Sequence, residues 1–220
     1  GESDDPKSYI NLNWMLDEVP DPELSLALGI LSHILTGTPA SPLRKALLDS
    51  GLGEDLTGGG MDQDFRQMKY SVGMKGVLAE NTVKVQDLIL ETLNRLTSGI
   101  DADTIAASVN TVEFHLREQN TGRFPRGLSL MLGALTAWIY DRDPLEELAF
   151  EAPLSAVKAR IASGGKYFES LIQKYLLENP HRTTVVLEPD PNVNKRREAI
   201  EQERLARAKA AMSQAEIEKV

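Results

Sequence analysis

Three histidines and no cysteine leave this 220-residue chain few side chains from which to build a catalytic centre. His33 is the most informative of them. An inverted zinc motif, His-x-x-Glu-His, puts two imidazoles on one helical face and a carboxylate beside them to take a proton from metal-bound water. The same frame here reads His33-Ile34-Leu35-Thr36-Gly37. Thr36 is no base near neutral pH and Gly37 has no side chain. One neutral imidazole then remains for a metal that takes three or four protein ligands, so the segment is expected to bind no zinc. On the stripe formed with Leu26 and Ile30, His33 reads as a packed helix histidine.

The other chemistry-bearing residues give bland readings. His115-Leu-Arg-Glu118-Gln119 repeats the frame with glutamine in place of the second histidine, beside an apolar stripe, and reads as a solvated helix face with an i,i+3 pair. His181 follows Pro180 and reads as a turn residue. Gly164-Gly165-Lys166 lacks the spaced first glycine and the following hydroxyl of a phosphate loop. Gly58-Gly59-Gly60 reads as a hairpin loop, with a mobile flap over a ligand as the functional alternative. Arg123 and Arg126 flank Phe124-Pro125 in a polar loop, either solvated or facing a partner's carboxylates. Gly58, Gly59, Gly60, Arg123 and Arg126 are therefore the candidate substrate or partner contacts, with no catalytic residue and no metal ligand expected.

Alternation and capping predict the elements that carry these residues. Ile10, Leu12, Trp14 and Leu16 alternate with Asn11 and Asn13, the period-2 pattern of a half-buried strand. Asp21-Pro22 supplies an N-cap and first-turn proline for a helix that ends at Gly37 and is apolar on two faces, and Ser41-Pro42 repeats that logic for a short helix ending at Ser50-Gly51. Met68, Tyr70, Val72 and Met74 mark a strand in an antiparallel pair. Amphipathic helices are predicted over 82–96 and 102–119, a buried helix over 128–140, further helices over 154–161 and 167–177, and a closing strand over 183–187. The fold class is α/β of the α+β kind, an antiparallel sheet packed by helices. Pro189-Asp190-Pro191 sets the expected boundary between a domain over 1–190 and a helical connector over 191–220 that has little of its own to bury.

The bulk properties narrow the partners. A net charge of −9 repels a phosphate backbone, so no nucleic-acid partner is expected. The 128–140 run is too short to cross the ~30 Å core of a bilayer, and no membrane partner is expected. The absence of cysteine suits a reducing compartment. Residues 1–7 carry neither an apolar signal core nor an Arg-rich amphipathic pattern, so the chain reads as cytosolic or as a piece of something longer.

Beyond these readings the sequence resembles a known family. The segments Gly37-Thr-Pro-Ala-Ser-Pro-Leu-Arg-Lys-Ala-Leu47, Val112-Glu-Phe-His-Leu-Arg-Glu-Gln-Asn-Thr-Gly-Arg-Phe-Pro-Arg-Gly-Leu-Ser-Leu-Met131 and Leu176-Leu-Glu-Asn-Pro-His-Arg-Thr183 look like the presequence proteases, one-chain members of the pitrilysin-type inverzincins. Such enzymes have four related domains in two bowl-shaped halves, joined by a helical hairpin, that close over an unfolded peptide. The resemblance implies that this chain is the second, non-catalytic domain plus the start of the hinge connector. His33, Thr36 and Gly37 would stand where the first domain has its zinc motif, the zinc itself being bound by a domain absent here. It also implies other domains of the same polypeptide and unfolded peptides as partners, and a mitochondrial matrix or plastid stroma location, or the cytoplasm for a bacterial relative. The 7 basic and 5 acidic residues of 192–220 leave the body at about −11 of the chain's −9, suited to Arg-rich targeting peptides. The alternative is a stand-alone interaction module of the same fold that binds peptide or a partner subunit.

Overall fold

The computed structural model describes residues 7–18 and 21–213, apart from the side chain of Glu147. Residues 1–6 of the N-terminal reading and 214–220 of the predicted connector lie outside them. The first compact unit ends at Leu187, and the second begins at Glu188.

Four strands form one antiparallel sheet in the order β2-β3-β1-β4: β1 (Lys7–Glu18), β2 (Asp55–Asp62), β3 (Gln67–Leu78) and β4 (Arg182–Leu187). The alternation of β1 is realised in its burial. Ile10, Leu12, Trp14 and Leu16 are buried on the helix-covered face, while Tyr9 and Met15 are exposed on the other. Gly73 sits opposite Asn11, where β3 approaches β1 so closely that a Cβ would run into the Ile10 carbonyl. Only glycine permits that approach.

Helix α1 (Pro22–Thr36) starts where Asp21 Oδ1 accepts from the amides of Glu23 (2.9 Å) and Leu24 (3.4 Å), and it buries Ala27, Leu28, Ile30, Leu31, Ile34 and Leu35. Two faces are thus covered, one by the sheet and the other by neighbouring helices. Helix α2 (Pro42–Asp49) follows, then α3 (Thr82–Thr97), which buries Val85, Ile89, Leu93 and Leu96 against β1 and β3. Ser41 makes no side-chain cap for α2; its hydroxyl donates to the His33 carbonyl at 3.1 Å and accepts from the Thr38 amide at 3.0 Å, tying the turn back onto α1.

Helices α4 (Ala102–Glu118), α5 (Arg126–Trp138) and α6 (Glu151–Ala162) come next, then α7 (Tyr167–Ile172), which runs into a π-helical turn, Gln173–Leu177. There the buried Trp14 indole N–H donates to the Leu176 carbonyl at 2.7 Å, satisfying a backbone group in the irregular turn. In the second unit, α8 (Val193–Ala211) has no buried residue, and Ile200 and Leu205 are exposed.

Two expectations fail. Gly58-Gly59-Gly60 is no hairpin loop: it lies inside β2, where the pairing jumps from Thr57↔Gly73 to Gly60↔Ser71, placing one extra residue on the edge strand. Gly58 and Gly60 take φ of +93° and +68°, conformations that a side chain would strain. The hairpin turn comes later, between Asp62 and Gln67. The predicted buried helix over 128–140 forms as α5, but it buries Ala137 alone. Leu128, Met131, Leu132, Leu135 and Trp138 are exposed, as is Ile139 just beyond it. Apolar composition demanded a cover, and the described residues do not supply one.

Candidate functional site

The C-terminal half of α1 and the bulged edge strand β2 face each other across an open cavity of about 900 Å³. Local sequence explains the pairing. Ser32 Oγ accepts from the Met61 amide at 3.0 Å, and Gln63 Nε2 donates to the Ser25 carbonyl at 2.7 Å, so α1 is fastened along the edge strand. Ser71 Oγ accepts from the Gly59 amide at 3.0 Å and holds the bulge from the β3 side. A Cβ on Gly60 would meet Ser32 Oγ at 2.7 Å, whereas one on Gly59 would meet nothing within 4 Å.

His33, Thr36 and Gly37 line this cavity together with Gly58, Gly59 and Gly60. The fold therefore gathers the two parts of the predicted site that lie far apart in sequence. Thr36 Oγ1 donates to the Ser32 carbonyl at 3.1 Å, so its hydroxyl serves the helix. The His33 ring lies against Gly37, where an added Cβ would approach Cδ2 to 2.5 Å. Burial, reinforced by the nearby His115, lowers the His33 pKa below its ordinary 6.5 and favours the neutral ring. Its Nδ1 is buried without a hydrogen-bond partner, as is Arg44 Nε on the same cavity.

This donor set does not fit zinc. One imidazole, a threonine engaged with backbone and a glycine offer a single ligand where three are needed. Among the described residues no group of three or more His, Asp or Glu side chains is placed to hold a metal ion. Of the three carboxylates that line the cavity, two are paired with lysines: Asp62 with Lys69 at 3.0 Å and Asp55 with Lys75 at 3.4 Å; Asp64 is the third. The Leu56 amide, with Lys75, holds the Asp55 carboxyl below its usual range. What the arrangement offers is an edge strand with little side-chain bulk beside a polar hollow. That suits an extended peptide laid along the hollow, since Ser32 and Ser71 already hold the Met61 and Gly59 amides of the strand.

Arg123 and Arg126 lie elsewhere. Arg126 Nε donates to Gln119 Oε1 at 3.1 Å and lines a separate hollow with His115, and Arg123 is exposed in the preceding turn. Glu118 forms no described pair with His115; Glu113 instead holds Arg117 and Lys158, joining α4 to α6. Sequence reasoning missed Ser32, Arg44, Gln63 and Ser71. Such residues carry no spacing signal, and only the packing of α1 and α2 against β2 and β3 brings them to one place.

A helix bearing the frame of an inverted zinc motif without its ligands, set beside the edge of an antiparallel sheet, defines a non-catalytic copy of a metallopeptidase domain. Known proteins agree. Residues 2–112 match the family described as the peptidase M16 inactive domain. The chain is 48% identical over 215 residues to presequence protease 1, chloroplastic/mitochondrial, of Arabidopsis thaliana, covering 96% of this chain and 20% of that protein. It is 36% identical to protein HypA of Clostridium perfringens, covering 88% of this chain and 20% of the relative. In fold it is similar to a protease from Helicobacter pylori, with a TM-score of 0.64 at 14% identity over 83% of this chain and 41% of that one. The chain belongs to the peptidase M16 family as an inactive domain, and it spans about a fifth of the length of these curated relatives. No described helix is long and apolar enough to cross a membrane.

Proposed function

We propose that this chain is the second, non-catalytic domain of a zinc metalloendopeptidase that degrades targeting presequences and other short unstructured peptides. It forms part of the wall of a closed chamber and leads through residues 191–220 to a hinge. The 48% identity to a presequence protease supports the substrate class and a mitochondrial or plastid setting, and the bacterial relative extends the reading to a cytoplasmic enzyme. Zinc belongs to another domain of the same polypeptide.

One observation carries the domain's role: the ligand-free motif at His33, Thr36 and Gly37 faces the glycine-rich edge of β2 across a single cavity. The domain holds peptide without cutting it. An extended substrate lies along the hollow beside Gly59, the one of the three glycines with open space at its Cβ position, while acidic surroundings attract Arg-rich sequences.

The test uses the purified chain with a fluorescent Arg-rich presequence peptide. Anisotropy should show saturable binding that weakens at least about tenfold in Gly59→Leu, a position open to a side chain. The chain should also retain no stoichiometric zinc after dialysis, by elemental analysis, and leave the peptide uncut. Chelator-sensitive cleavage, or binding indifferent to Gly59→Leu, would overturn the proposal.

A further inference from the structure

Helix α5 is amphipathic in the reverse of the usual sense. Leu128, Met131, Leu132, Leu135, Trp138 and Ile139 recur at intervals of three and four, forming one stripe, and every one of them is exposed. The opposite side carries mostly small residues, with Gly133, Ala134 and Thr136 half-buried and Ala137 buried, together with one half-buried leucine, Leu130. The neighbour against which α5 mainly rests is the short 3-10 turn Glu146–Leu148. From Gly127 to Tyr140 there is no charged side chain. Helices in contact with water carry charge on the outer face, and a contiguous apolar stripe of this length marks an interface.

We propose that the α5 stripe is the seat of a sibling domain of the same polypeptide, which presents a complementary apolar surface free of charge at its centre. This rests on the reading of the chain as one part of a longer protein. The curated relatives are about five times longer than the aligned region, so four-fifths of such a polypeptide is available to cover the stripe. The second unit of this chain does not match it. Helix α8 carries two exposed large apolar residues, Ile200 and Leu205, and a separation of five puts them about 140° apart around the helix, on no common stripe.

Hydroxyl-radical footprinting of the full-length polypeptide and of the 220-residue chain, which has its own core, tests the proposal. Met131 and Trp138 should be oxidised at least about tenfold more slowly in the full-length protein than in the chain at low micromolar concentration. Leu135→Asp in the full-length protein should restore most of the difference at Trp138, while Phe65, exposed and remote in sequence, reacts equally in all three. Equal oxidation of Met131 and Trp138 in the long and short proteins overturns the docking surface and leaves the multidomain reading intact. Protection already present in the 220-residue chain, growing with its concentration, overturns it in favour of a second copy. Protection of the full-length protein only on adding phospholipid vesicles overturns it in favour of a membrane surface. A native gene product near 24.2 kDa by mass spectrometry overturns both the surface and the reading on which it rests.

Discussion

Helices α1 and α5 are nearly interchangeable as strings of letters: both are rich in leucine, both contain glycine and serine, and both have a proline at their start, Pro22 and Pro125. Helix α1 is buried on two sides, with seven residues inside, whereas α5 buries one. The difference lies in what surrounds them. Strand β2, helix α4 and helix α6 close over α1, and Arg160 of α6 pairs with Glu23 at 2.8 Å on its first turn, whereas α5 rests mainly on the short turn Glu146–Leu148 and touches the end of α4 through Arg126 and Gln119. An apolar helix states that it must be covered. It does not state by which part of the polypeptide.

The contrast can be broken or sharpened by experiment. The largest effect belongs to Ile30→Ala, which removes a fully buried side chain of α1 and should lower the unfolding free energy of the isolated chain by about 2–5 kcal/mol, read from the urea midpoint. A loss below about 1 kcal/mol would mean that α1 is no better packed than α5. Next comes the cap: Asp21→Ala deletes the acceptor for two first-turn amides and should cost about 1 kcal/mol in the same measurement. Helix α5 has no side-chain cap to lose.

A smaller effect follows from the cavity side of α1. The folded domain lowers the His33 pKa below 6.5, so the unfolded chain takes up more protons as the pH falls. This contribution to stability is complete above about pH 6.5 and is lost as the pH drops through that value toward the lower folded one. Thermal melts from pH 7.5 to 5 should therefore show a decline that His33→Gln reduces; an equal slope in the variant would show that the ring is not desolvated. The smallest effect is expected on α5. Leu132→Gln should change the stability of the isolated chain by no more than about 0.5 kcal/mol, because the residue is already in water. A loss comparable to that of Ile30→Ala would contradict the exposed stripe.

Much of the scaffold is legible in the sequence because its signals are local. The alternation of β1, the Asp21-Pro22 start of α1, and the strand around Tyr70 need only neighbours along the chain to declare themselves. The absence of zinc ligands is legible for the same reason, since Thr36 and Gly37 follow His33 directly. Gly58–Gly60 is misread because glycine serves loops and bulges equally, and only pairing with Ser71 and Gly73 separates them. The burial of α5 is misread because burial is a property of two surfaces, of which the sequence of one helix supplies a single member. The cavity itself, with Ser32, Gln63 and Ser71, is invisible until α1 and β2 are brought side by side.

The imidazole of His33 lying over Gly37 limits what that position can hold. Any residue larger than glycine at position 37 obliges both that ring and the turn to shift, because the first added carbon meets Cδ2 at 2.5 Å and the His33 carbonyl oxygen at 2.7 Å. A histidine placed at 37 would meet the ring already there, so two imidazoles could share this face only if His33 first took another rotamer. The turn at Gly37 thus admits one imidazole and leaves no room beside it for a second side chain.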